Sequence, residues 1–203
     1  MVTNTQSTKV IALDAWRDAF MAILSMPSNS SGLRDAALNE DLKSWTALLT
    51  TTVVSTCKQL GLIAAAKGHR ASFLPQTGEE FLGLDVMAFS KAVNHEQCRT
   101  WQLPLAVFEL ENSTQNDRVG YSLWKVMCVR TPLRLVFAYR KSWELCTDLA
   151  KYLADTVAKQ VIDDDYHGES VVVLGSRAEG ESFPWGYFKF YQLNRSLLRF
   201  EKF

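Results

Sequence analysis

The chain lacks an excess of charge of either sign: 22 Lys and Arg stand against 22 Asp and Glu. A balanced chain offers no global attraction for nucleic acid, membrane or acidic substrate, so any basic footprint must be local. No stretch approaches the roughly 20 consecutive apolar residues that a bilayer span needs. The polar start, Met1 to Thr8, has neither the basic segment nor the apolar core of a secretory signal, which leads us to expect a cytoplasmic protein with no membrane partner. Cysteine is sparse and irregular. Cys57, Cys98, Cys128 and Cys146 form no CxxC pair and have no histidine at ligand spacing, which argues against zinc, and disulfides are not expected in a reducing compartment. His69, His95 and His167 stand singly. No glycine-rich phosphate loop occurs, and Ser176 and Ser182 lack the Gly-x-Ser-x-Gly setting of a hydrolase nucleophile.

What remains is an ordinary globular composition, 47% hydrophobic and 22% charged over 203 residues, enough for one α/β domain spanning 1–203. Val10 to Met26 has helical spacing, and Pro27 with the serine-rich run after it reads as a loop. A second helix is expected from Asp35 to about Leu60, through a β-branched run at Thr50 to Val54 that works against helix. Strands follow at Ala71–Pro75, Gly83–Phe89 and Leu105–Glu111, with a turn at Gln76–Gly78. The spacing then predicts a helix over Asn116–Val129, a strand over Leu133–Tyr139, a helix over Ser142–Val161 and an apolar strand at Val171–Leu174. Phe183 to Phe203 reads as two aromatic-rich strands joined at Asn194-Arg195. Helices interspersed with strands point to a mixed central sheet flanked by helices.

Two of these strands carry residues that do not belong in a strand core: Asp85, and then Glu109 and Glu111. An ionised carboxylate in apolar surroundings is costly unless paired or bound to a cation. Glu109 and Glu111 are two apart and project from one face, with Leu110 pointing the other way, and Asp85 on the preceding strand can reach the same point. Oxygen ligands in such an arrangement suit Mg2+ or Mn2+, which activates water and neutralises charge at a phosphodiester. The following helix has a polar stripe of Arg118, Ser122 and Lys125.

Asp85 on one strand, Glu109-Leu110-Glu111 on the next, then a helix with a basic stripe and a further strand, resembles the core of the PD-(D/E)xK, restriction-endonuclease-like nuclease superfamily. The matching stretch is about 35–139, with the N-terminal helix 10–26 and the segment 142–203 outside it. The resemblance implies a helix, three strands, a helix and a strand, and a Mg2+-dependent endonuclease acting on DNA. Asp85 and Glu109 would be metal ligands, with Glu111 standing where that family usually has Lys. Some members carry Glu at that place and some relocate the Lys to the next helix, where Lys125 is the candidate. Glu40 or Asp41, on the first core helix, could complete the site.

Plainer readings of the same residues stay open. Asp85 could cap a strand end or pair with Arg118; Glu109 and Glu111 could be the solvent face of an edge strand; Lys125 could be a solvated helix residue. A catalytically inactive nuclease-like fold, serving as a nucleic-acid or protein binding module, fits the balanced charge and the missing motif Lys. The C-terminal aromatics read as core, with a stacking or partner surface, such as the interface of a homodimer, as the rival.

Overall fold

In the computed structural model of the chain, residues 11–69, 71, 74, 81–91, 102–163 and 165–203 are described. The turn expected at 76–78, most of the strand expected at 71–75, the N-terminal segment 1–10, His95 and Cys98 lie outside them.

The described residues begin with three helices: α1 (Leu13–Leu24), α2 (Pro27–Leu38) and α3 (Leu42–Gln59). The serine-rich segment is therefore helix rather than loop. Proline lacks the N–H that a first helical turn leaves unused, so Pro27 starts α2 where the sequence suggested only that it ends α1. Fully buried Leu33 then pins α2 to the core. The single helix expected from Asp35 is also broken, at Asn39–Asp41, where Glu40 takes a left-handed φ of 54° and Asp41 caps α3 by accepting from the Ser44 amide at 3.1 Å. The β-branched run does not interrupt α3. Thr51, Thr52 and Thr56 return their hydroxyls to carbonyls four residues back at 2.9–3.0 Å, and Val53 and Val54 are buried against the sheet, so tertiary burial outweighs local preference.

The sheet has seven strands in sequence order: β1 (Leu62–Ala66), β2 (Val86–Ser90), β3 (Ala106–Leu110), β4 (Leu133–Arg140), β5 (Glu169–Ser176), β6 (Phe188–Asn194) and β7 (Arg199–Lys202). The pairs β3–β4 and β4–β5 are parallel and the rest antiparallel. Sequence reasoning did not find β1, whose Leu-Ile-Ala-Ala-Ala has little β signal and is held by its register on β2. The parallel pairs need crossovers, supplied by α4 (Asn116–Met127) and α5 (Trp143–Leu153), which continues through a π-turn, Ala154–Ala158, into the short α6 (Lys159–Val161).

Each strand's alternation feeds two cores. Phe108, Leu135, Phe137, Val171 and Phe188 face α1–α3, where Trp16 stacks on Phe20 at 5.1 Å. Val107, Val136, Val172 and Leu174 face Leu123 of α4 and Leu149 and Leu153 of α5. The C-terminal aromatics Phe183, Tyr187, Phe188, Phe190 and Phe200 are core, and Trp185 alone of that group is widely exposed, at 70%. Among the described residues no helix is long and apolar enough to cross a membrane.

Candidate functional site

The register Val86↔Phe108 and Met87↔Val107 continues one step to set Asp85 across from Glu109, on the sheet face covered by α4. The two residues interlock. The Asp85 amide donates to Glu109 Oε1 at 3.3 Å, and the Leu110 amide donates to Asp85 Oδ2 at 2.7 Å, so each side chain finishes the ladder where β2 and β3 part. Leu110 itself is buried on the opposite face, as its position between two glutamates requires.

Glu109 is only 5% exposed. Burial pushes its carboxyl up to about 7; the hydrogen bond from Lys125 works against that shift, and the negative charge of Asp85 adds to it. Lys125 reaches this carboxylate because α4 puts Val119, Leu123 and Val126 into the core and turns its last turn toward the end of β3. Its Nζ lies 2.8 Å from Glu109 Oε2 and donates to the Gly83 carbonyl at 2.6 Å. That carbonyl is presented by the tight turn Phe81–Gly83, in which Leu82 and Gly83 both have positive φ, 55° and 61°. One ammonium thus ties β3, α4 and the approach to β2 together.

Glu111 lies just past β3 on the same side, but its carboxylate turns back: the Ser113 amide donates to Oε1 at 2.7 Å and the Ser122 hydroxyl to Oε2 at 3.4 Å. Arg140, at the end of β4, is buried and donates to Asn116 Oδ1 at 2.7 Å and to the Ser113 carbonyl at 3.3 Å. Burial draws its guanidinium below the ordinary value, and the charge of Glu111 is among the influences raising it again. Arg140 and the serines were not singled out from sequence as site residues. The signal for Arg140 was its place at the carboxyl end of a parallel strand, beside the ends of β3 and β5, where open α/β sheets collect ligands.

Asp85, Glu109 and Lys125 are therefore brought together, with Glu111 on the same face but held by serines. Among the described residues no three carboxylates, histidines or cysteines converge closely enough to enclose an ion. Glu40 sits on the α2–α3 side, 3.9 Å from Arg177, where it lines a small hollow with Asn112 and Tyr139; Asp41 is the cap of α3. Neither is brought to the Asp85–Glu109 pair. Arg118 is exposed on α4, one turn before Tyr121. No family model, no curated protein and no solved structure matches the chain.

Proposed function

We propose that the protein is a metal-dependent nuclease hydrolysing phosphodiester bonds of DNA. The observation that carries the reading is the cross-strand pair Asp85–Glu109 with a lysine from the next helix on Glu109. Two adjoining carboxylates repel each other, and the pair is most stable when a cation lies against it. Lys125 supplies one positive charge; Asp85 and Glu109 would hold a divalent ion as the other, with Glu111 reaching it only by leaving Ser122. Such an ion, when bound, lowers the pKa of water and neutralises charge on phosphate. The order α3, β1, β2, β3, α4, β4 among the described residues supports the reading, since a helix, three strands, a helix and a strand is what the resemblance to the PD-(D/E)xK core implies.

In this reading Lys125 has two roles. It opposes the upward pull of burial on the Glu109 carboxyl, and its Nζ can donate to a phosphate oxygen or to the attacking water as substrate enters. Water oxygen bonds to phosphorus, the ester P–O bond breaks, and the leaving oxygen takes a proton while the second proton of the water goes to solvent. The test is cleavage of plasmid and linear DNA with Mg2+ or Mn2+ by wild type and by Glu109→Gln. Cleavage by wild type that disappears in the variant, with the fold retained, supports the reading; no cleavage of any nucleic acid by wild type removes it.

A second reading is favoured by one observation. Asp85 is tied to the Leu110 amide, Glu111 to Ser113 and Ser122, and Lys125 to Glu109 and Gly83, so the site can be viewed as a structural clasp in a non-catalytic binding module. Divalent-ion binding separates the two, because a clasp takes up no Mn2+.

A further inference from the structure

The helix that carries Lys125 also carries an aromatic pair that the core does not use. Tyr121 and Trp124 are 57% and 48% exposed, with ring centroids 5.9 Å apart and planes 31° from parallel. Exposed large aromatics are expensive to leave in water, and two on adjacent positions of one helix form a continuous apolar face. They border a groove between α4 and the end of α5, lined also by Tyr152 and Gln160, with a volume of about 410 Å³. The Tyr152 hydroxyl spans the groove, donating to Asp117 at 2.5 Å, and Gly120 lies on its floor against Val157.

The face is continuous with the candidate site. Lys125 Nζ lies 5.8 Å from the Tyr121 ring centroid and 2.8 Å from Glu109, so a single ammonium touches both the aromatic surface and the carboxylates. Arg118, exposed and three residues before Tyr121, lies on the same stripe. Cations interleaved with exposed rings attract a backbone of phosphates while offering flat surfaces to unpaired bases, which stack on any aromatic. Bases inside a duplex cannot reach such surfaces.

We infer that Tyr121 and Trp124 form a stacking platform for unpaired bases of single-stranded nucleic acid, next to the candidate site at Lys125 and Glu109. The inference rests on the nuclease reading and narrows its substrate to single strands, or to duplex that has frayed. Arg118 holds a phosphate of the same strand, and Gln160 closes the far side of the groove.

The experiment uses the full chain and a fluorescein-labelled 20-mer of thymidine, with a duplex of equal length as control, in EDTA so that no cleavage occurs. Anisotropy should show tighter binding of the single strand by wild type. Trp124→Ala should weaken that binding roughly ten-fold, Trp124→Phe should restore most of it, and duplex binding should not change. Arg118→Gln should weaken single-strand binding and lower its salt slope by about one. Equal single-strand affinity of wild type and Trp124→Ala overturns the platform and leaves the groove to another occupant, such as a protein. A preference of wild type for duplex also overturns it. Mn2+ titration and cleavage, run on the same preparations, separate this failure from failure of the nuclease reading: a wrong platform leaves wild type cutting and binding Mn2+, whereas a wrong nuclease assignment abolishes both.

Discussion

Replacing Lys125 by methionine should destabilise the protein in a pH-dependent way, and the direction follows from the Glu109 carboxyl. In the unfolded chain Glu109 titrates near its ordinary value of 4.5; in the fold it titrates at about 7. A raised acid favours the fold when protonated, so its contribution is fully present below pH 4.5 and is lost as the pH rises through 7. The loss over that window is roughly 3 kcal/mol at about 1.4 kcal/mol per pH unit. Lys125 limits this loss, since its hydrogen bond and charge both act to lower the value. Without it the Glu109 pKa moves further up and the decline continues above pH 7. At pH 5.5 Glu109 is largely protonated and Lys125→Met removes only a hydrogen bond to a neutral group, roughly 1 kcal/mol. At pH 8.5 the variant must either bury a lone carboxylate or hold its proton against the solvent. Breaking a buried pair costs roughly 3–5 kcal/mol, and the 22% exposure of the Lys125 side chain reduces this to roughly 2–3 kcal/mol. Urea denaturation of both proteins at the two pH values measures the difference. A destabilisation equal at pH 5.5 and 8.5 would refute the linkage between Lys125 and the Glu109 proton.

Other consequences are as direct. Mn2+ affinity should rise with pH through about 7 with release of close to one proton, because Glu109 must ionise to bind; calorimetry in buffers of different ionisation heat checks it, and a pH-independent affinity opposes it. Gly168→Ala should destabilise by roughly 2 kcal/mol or more without altering Mn2+ binding, since φ is 89° and a Cβ would lie 2.5 Å from the Pro132 carbonyl oxygen; thermal melting at unchanged metal affinity is the readout. Phe20→Ala should cost roughly 3–5 kcal/mol by opening a cavity beside Trp16 and Phe137, seen as a lower urea midpoint.

The parts of the fold legible in the sequence are those where periodicity and burial agree. α4, β4 and β5 have one clear apolar face or a fully apolar run, and the structure places them within a few residues of where spacing put them. β2 and β3 were legible for a related reason: each is a short apolar run with a carboxylate beside or near one end. The failures have physical causes. Pro27 both follows one helix and begins another, and proline is compatible with either role. The break at Glu40 is a single left-handed residue with no glycine to announce it. β1 is an alanine-rich segment whose strand state is imposed by its partner. At the site, pairing of Asp85 with Glu109 followed from alternation, while the turning of Glu111 onto Ser113 and Ser122 depends on the loop after β3, whose course spacing does not encode. Lys125 could be placed on a polar stripe by helical periodicity, but its choice of Glu109 and the Gly83 carbonyl is a tertiary outcome.

In the proposed site Asp85 and Glu109 would act together as ligands of a divalent ion beside Lys125. Titration of Mn2+ into the full chain at pH 8, followed by calorimetry, tests this most directly. Saturable binding by wild type that vanishes in Glu109→Gln, while the variant's denaturation profile stays cooperative, is the expected result. Absence of binding by wild type, or binding unchanged in Glu109→Gln, contradicts it and leaves the pair as a clasp between β2, β3 and α4.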